Sequence, residues 1–415
     1  MKINIHRGAN EIGGTCIQLS TGQSTILLDL GLPLSKDSKE LDVAALTPDA
    51  VLISHPHQDH FGLIEALDHD IPVYMGELSK NLINATRMLL GNGLLKNEIR
   101  HFNTWQTFAI GDFIITPYLV DHSAVDAYAF LIEAEGKRIF YSGDFRAHGR
   151  KSVLFDTITK NPPKDIDLLF MEGTMIQRCN DDFPTEADVE KKIYETIQKQ
   201  ENITFLISSS QNIDRIVSAF RACKHAGKTL VLDIYTAWVL EQLKLISKNI
   251  PAMEWDQIKI KLSHSQHEKL KDNPDFFGDF RQRVYQHRIS KEELHANPTE
   301  YLFFSKMSHY KTINLHKKIK PVNVIYSQWL GYLSCMDSDY YGAEAIADYQ
   351  NDPQVNFVYA HTSGHATVED LQKFAEALKP KMLVPMHTEH SDEFQKFFHD
   401  ILRLQDGQKY ELRGR

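Results

Sequence analysis

The run Ile53-Ser54-His55-Pro56-His57-Gln58-Asp59-His60-Phe61-Gly62 constrains this chain more than any other stretch. An apolar segment, residues 50–54, leads into an H-x-H-x-D-H pattern, and a helical pattern is expected to begin at Phe61. Residues two apart on an extended segment point the same way, so His55 and His57 can grip one ion. Asp59 and His60, about one turn further on, can reach a second ion close by. Imidazole and carboxylate donors without thiolate suit zinc, with manganese as the weaker alternative. Cys16, Cys179, Cys223 and Cys335 have no C-x-x-C spacing, so neither a thiolate site nor a disulfide framework is expected, and buried free thiols are the reading.

Up to about residue 171 the chain reads as short apolar strands broken by turns, among them GTCIQLS, STILLDLG, AVLIS, YAFLIEAE, KRIFYSG and DLLFME. A second helical stretch covers residues 77 to 90. Beyond Thr174 longer helices alternate with single strands: Thr185 and Asp188 form a capping pair that opens a helix to about Lys199, and ITFLIS, a helix from Gln211 to His225, TLVLDI and a helix from about Thr236 follow. Such alternation predicts a parallel sheet. A strand NFVYA, a helix from Ala366 to Leu378 and a strand KMLVPM come last.

The 415 residues carry a net charge of -9, which argues against a generally basic nucleic-acid-binding surface. Residues 211 to 330 nevertheless hold 19 Lys and Arg against 12 Asp and Glu, a basic segment in an acidic frame. No apolar run approaches the roughly 18 residues that span a bilayer, and the opening residues lack the apolar core of a secretory signal. A cytoplasmic protein without a membrane partner is expected.

The H-x-H-x-D-H run resembles the first metal motif of the metallo-β-lactamase superfamily. Asp121-His122-Ser123 and Gly143-Asp144-Phe145 follow in the family's order, each after a strand. Met171-Glu172-Gly173-Thr174, Thr362-Ser363-Gly364-His365-Ala366 and Val384-Pro385-Met386-His387 resemble the later motifs of its β-CASP branch, the nucleases related to ribonuclease J and to the endonuclease of pre-mRNA 3'-end processing. The resemblance implies an α/β fold, a metallo-β-lactamase αββα sandwich with an inserted β-CASP cap domain built on a mainly parallel sheet. Residues 1–178 and 351–415 would form the sandwich and 179–350 the cap. It implies two zinc ions, one held by His55, His57 and His122, the other by Asp59, His60 and His387, with Asp144 shared. His390 is the rival of His387. Asp29 would support the site by hydrogen bonds without binding metal.

From the same resemblance, the expected reaction is hydrolysis of phosphodiester bonds in single-stranded RNA, exonucleolytic or endonucleolytic, with DNA as a further substrate. A zinc-activated hydroxide would attack phosphorus, Asp59 would serve the catalytic centre, His365 would protonate the leaving oxygen, and Glu172 would orient His365. Ser208, Ser209, Ser210, Asn212, Ser363 and Gly364 stand at turns that open helices and are candidate phosphate contacts or ordinary N-caps, with Arg215 as a charged assistant. Trp238, Tyr235 and Trp329 would stack on bases or pack in the core. A hydrolase of a small ester or thioester, and a non-catalytic RNA-processing subunit, are the competing functions. The sequence ends 28 residues after His387, so the C-terminal domain through which ribonuclease J associates is not expected, and homo-oligomerisation stays open.

Overall fold

The computed structural model describes all residues except 36–37, 180–181, 200, 245, 335–340 and 414–415. Two compact units result, one formed by Met1–Asn84, Leu94–Asn180 and Gly364–Arg415, the other by Ala85–Gly93 and Asp181–Ser363. In chain order the first unit contains β1 (Lys2–Arg7), β2 (Cys16–Ser20), β3 (Thr25–Leu28), β4 (Ala50–Leu52), β5 (Val73–Met75), β6 (Ile99–His101), β7 (Phe108–Ile110), β8 (Phe113–Val120), β9 (Ala127–Ala134), β10 (Lys137–Tyr141) and β11 (Leu168–Glu172). The second unit contains β12 (Thr204–Ile207), β13 (Thr229–Asp233), β14 (Ile258–Lys261), β15 (Tyr301–Ser305), β16 (Val322–Tyr326) and β17 (Val355–Tyr359). The chain then returns to the first unit for β18 (Leu383–Met386) and β19 (Lys409–Glu411).

The first unit is built on two sheets, ordered β19-β1-β2-β3-β4-β5-β6 and β18-β11-β10-β9-β8-β7. Alternate residues explain how they stack. In β9, Tyr128, Phe130 and Ile132 share a core with Ile26 and Leu28 of β3 and Ala50 and Leu52 of β4, so these faces meet between the sheets. The intervening Ala127, Ala129 and Leu131 pack with Phe155 and Ile158 of the helix Val153–Lys160 and with Leu371, Phe374 and Leu378 of the helix Val368–Leu378. On the first sheet, Leu27 and Val51 pack outward with Ile64, Leu67 and Ile83. Both faces of the two sheets are thus packed, and an αββα sandwich follows.

The second unit is one six-stranded sheet, ordered β14-β13-β15-β12-β16-β17, in which every pairing is parallel. Its central strands are continuous apolar runs, as expected for a sheet covered on both faces, and all residues of TFLI in β12 and YLFFS in β15 are buried. Thr185 and Asp188 cap the helix Glu186–Gln198 reciprocally. Val355–Tyr359, expected in the closing part of the sandwich, pairs instead with β16 in this unit, because register rather than sequence order assigns an edge strand. The stretch after His57 also differs from expectation: a single turn, Gln58–Phe61, already contains Asp59 and His60, and ends where Gly62 approaches Gln58. Cys16 and Cys223 are buried free thiols, Cys179 is exposed, and Cys335 lies outside the described residues. Among the described residues no helix is long and apolar enough to cross a membrane.

Candidate metal centre

The expected metal ligands stand just beyond carboxyl ends of strands in the first unit, with Asp59 and His60 on the helical turn Gln58–Phe61. His55 and His57 follow β4, His122 follows β8, Asp144 follows β10, and His387 follows β18. The His57 imidazole makes no cap bond to the short helix it precedes, which leaves it available to the site. The loop is held by its backbone: Leu30 and Leu32 donate to the carbonyls of His60 and Gln58 at 2.8 and 2.9 Å, and Thr15 donates to that of Asp59 at 3.2 Å. Gly31 permits this approach, since a Cβ there would stand 1.7 Å from the Asp59 carbonyl oxygen.

Three imidazole nitrogens converge. His55 Nε2 lies 3.0 Å from His57 Nδ1, which lies 3.2 Å from His122 Nε2. For His55 and His122 the other ring nitrogen fixes the tautomer that leaves a lone pair facing inward. His122 Nδ1 donates to the Gly364 carbonyl at 2.6 Å, and His55 Nδ1 meets Ser54 Oγ at 3.0 Å. Burial, reinforced by neighbouring imidazoles, holds His55 and His122 well below the usual histidine range, and burial pushes His57 down to about 4 against the pull of Asp59. Three neutral rings with converging lone pairs fit a cation, because protons cannot satisfy all three at once.

The second cluster is Asp59, His60 and His387, and Asp144 joins it to the first. His387 Nε2 lies 3.2 Å from Asp59 Oδ2, and His60 Nε2 lies 3.1 Å from Asp144 Oδ2. Burial opposes a charge on His60, yet Asp144, Asp59 and Asp29 together raise its pKa well above the ordinary value. Despite burial, His387 and His60 hold Asp144 well below the carboxylate range, and His60 and His387 do the same to Asp59. These carboxylates draw positive charge, the second mark of a metal-fitting donor set. Asp29 is fully buried at φ 57° and accepts from Ser54 N, Ser54 Oγ, His60 Nδ1 and Tyr141 Oη at 2.6, 2.8, 2.7 and 2.5 Å. Thr174 Oγ1 meets His387 Nδ1 at 2.9 Å.

His365 stands at the rim. Its Nδ1 lies 3.3 Å from Glu172 Oε2 and 3.8 Å from Asp144 Oδ2. Glu172 is itself held by the backbone N–H groups of Thr174 at 3.0 Å and Ala366 at 3.2 Å. Burial opposes the charged ring, but Glu172 and Asp144 prevail and raise its pKa above the usual value.

The structure therefore brings His55, His57, Asp59, His60, His122, Asp144, Glu172, His365 and His387 together, and His390 is in none of the ligand groups found among the described residues. Ser208, Ser209, Ser210, Asn212, Arg215 and Ser363 belong to the second unit. There Asn212 caps the helix Ile213–Ala226 by accepting from Arg215 N at 3.1 Å, and Ser210 Oγ meets Thr236 Oγ1 at 2.8 Å. Arg215 departs from its expected role: its guanidinium is fully buried and engaged by Glu186 Oε1 at 3.1 Å, Glu186 Oε2 at 3.2 Å and the Ser327 carbonyl at 2.8 Å. That charge is neutralised inside the unit. Gly364, expected at a phosphate, turns its carbonyl to His122. Trp238 packs in the core against Phe277 and Phe280, whereas Trp329 is 39% exposed. Sequence reasoning missed Ser54, Tyr141 and Thr174, hydroxyl residues whose only signal is adjacency to a motif or strand end.

Comparison with known proteins agrees with this geometry. Residues 28–217 match the beta-lactamase superfamily domain, and residues 354–400 match the Zn-dependent metallo-hydrolase RNA specificity domain. The protein named "Probable RNase MJ4" of Methanocaldococcus jannaschii is 30% identical over 222 residues, 48% of this chain and 50% of that protein. Ribonuclease J of Helicobacter pylori is 23% identical over 415 residues, 94% of this chain and 56% of that protein. The chain thus spans about half the length of these relatives. A crystal structure of a protein of unknown function from Enterococcus faecalis V583 shares the fold, with a TM-score of 0.76 and 22% identity over 99% of each chain. Both domain matches agree with the fold and with the ligand groups. The chain belongs to the metallo-β-lactamase superfamily, in the β-CASP branch that includes ribonuclease J.

Proposed function

We propose that this protein is a metal-dependent ribonuclease that hydrolyses phosphodiester bonds of single-stranded RNA, using two zinc ions. The carrying observation is the pair of ligand clusters, His55–His57–His122 and Asp59–His60–His387, joined through Asp144 beside the His365–Glu172 pair. The printed names of the relatives and the RNA specificity domain match support RNA as the substrate. Bound zinc lowers the pKa of water to about 7 and neutralises charge on phosphate oxygens. His365, held in its charged form by Glu172 and Asp144, carries a proton near neutrality and delivers it to the leaving oxygen. Glu172, pinned by two backbone N–H groups, keeps that ring in place. Asp29 and Thr174 keep His60 and His387 turned toward the ligand clusters.

A second reading, His365 as a ligand, is favoured by its grouping with Asp144 and His387. One experiment separates the two: end-labelled single-stranded RNA and DNA, with 5'-phosphate or 5'-hydroxyl, incubated with wild type and His365→Ala, with and without chelator. Chelator-sensitive RNA cleavage that His365→Ala loses while retaining full metal supports the acid. Metal loss in His365→Ala supports the ligand. No RNA cleavage by the metal-loaded wild type refutes the ribonuclease.

A further inference from the structure

Beside the ligand cluster lies an ion pair that the reaction described above does not use. Asp121 and Arg146 are both fully buried, with Arg146 Nε 3.4 Å from Asp121 Oδ1. The Arg146 backbone N–H also donates to the Asp121 carbonyl at 2.7 Å. Lys151 Nζ reaches the same Oδ1 at 3.4 Å and donates to the His122 carbonyl at 3.1 Å. The chain closes tightly over this pair at Gly149, where a Cβ would stand 2.4 Å from Arg146 Nε and 2.5 Å from Asp121 Oδ2.

The positions of these residues give the group its meaning. Asp121 immediately precedes the ligand His122, and Arg146 comes two residues after the ligand Asp144. The strands that lead to them, β8 and β10, are separated in the sheet by β9, and beyond the strand ends the two segments meet directly through the Arg146 N–H and the Asp121 carbonyl. The ion pair adds a side-chain link to that backbone contact at the end where the ligands emerge. A buried ion pair is a weak source of stability, since desolvation offsets most of its attraction, and its best-attested use is to fix register. Lys151 adds a second cation to Asp121 and holds the carbonyl of His122 itself.

We propose that Asp121, Arg146 and Lys151 form a positioning clamp that sets His122 against Asp144 and thereby fixes the affinity of the His55–His57–His122 cluster for its metal ion. This rests on the metal reading of the site. All three are positioning residues, acting through His122 and Asp144.

The test is zinc binding to the full chain, measured in competition with a chromophoric chelator, together with the urea unfolding midpoint in excess chelator. Lys151 is 30% exposed, so Lys151→Met preserves the fold, and Lys160→Met, at a 72% exposed surface position, is the control. Lys151→Met is expected to weaken zinc binding about 10- to 100-fold, the usual cost of losing a group that orients a metal ligand, with an unchanged unfolding midpoint. Lys151→Arg should restore affinity, and Arg146→Lys should weaken it. Wild-type zinc affinity in both Lys151→Met and Arg146→Lys overturns the clamp, as does a loss of affinity that only tracks a lowered unfolding midpoint. A wild-type chain that binds no zinc overturns the metal reading itself, before any substitution is made.

Discussion

Replacing Asp29 with Asn removes one charge and almost no volume, and its effect follows from the hydrogen bonds that meet there. Asn tolerates the left-handed backbone at this position, so φ 57° adds no strain. One carboxylate oxygen serves Ser54 N, and the other serves Ser54 Oγ, His60 Nδ1 and Tyr141 Oη. If the amide oxygen keeps the backbone donor, the amide nitrogen faces three former donors. The two hydroxyls can rotate away. His60 cannot, unless it gives up its Nδ1 proton and keeps the one on Nε2, the nitrogen that faces Asp144 and Asp59. A hydrogen bond to a charged acceptor contributes about 1.5–3 kcal/mol, and a buried donor left unpaired costs about 1–3 kcal/mol. Asp29→Asn should therefore destabilise the metal-free protein by about 3–5 kcal/mol, a fall in Tm of roughly 10 °C for a unit of this size. Metal affinity should drop about 10- to 100-fold because His60 loses its fixed tautomer. The pH dependence has a definite sign. The raised pKa of His60 contributes stability that is full below about 6.5 and is lost as pH rises through the folded value, so the deficit of the variant should shrink at high pH. Urea unfolding in chelator and zinc competition read both quantities. A variant within 0.5 kcal/mol of wild type, roughly the scatter of neutral surface changes, that also keeps wild-type zinc affinity would refute the reasoning.

Further outcomes follow from the same geometry. Gly31→Ala should abolish metal binding, because its Cβ would overlap the Asp59 carbonyl; metal content after mild purification checks this. The unfolded chain takes up protons on His55, His57 and His122 below about 6.5 while the folded trio resists until about 4 for His57. Chelator-treated protein should thus lose stability as pH falls between these values, and a midpoint that rises from pH 6 to 4.5 would contradict it. Arg215→Met should cost about 3–5 kcal/mol by stranding buried Glu186, read by urea unfolding; an undestabilised variant with weakened RNA binding would return Arg215 to the phosphate-binding role.

The ligand clusters were readable because H-x-H-x-D-H is a compact motif after a strand, and the family resemblance supplied His122, Asp144 and His387 at the ends of later strands. Apart from Asp29, which the family resemblance implied, the groups that orient those donors were not readable, because several meet them across long stretches of chain. Gly364 reaches His122 from 242 residues away, and Thr174 reaches His387 from 213. Apolar strands such as β9 and β12 were evident as apolar runs in the sequence. Short edge strands were not: Ile99–His101 and Lys409–Glu411 are largely exposed and carry no apolar alternation. Arg215 misled for a related reason, since a cation after a serine-rich turn reads alike whether it faces solvent or a buried Glu186. The basic balance of residues 211–330 is similarly consumed in part, with Lys306 on Asp233 and Arg283 on Glu241, Glu254 and Asp279.

Two ligand clusters that share Asp144 should together hold two ions, and elemental analysis of the purified, zinc-supplemented and dialysed chain beside its Asp144→Asn variant measures this. About two zinc per folded wild-type chain are expected, with a clear loss in the variant. A folded wild type free of metal, or a variant that retains the full complement, would contradict it.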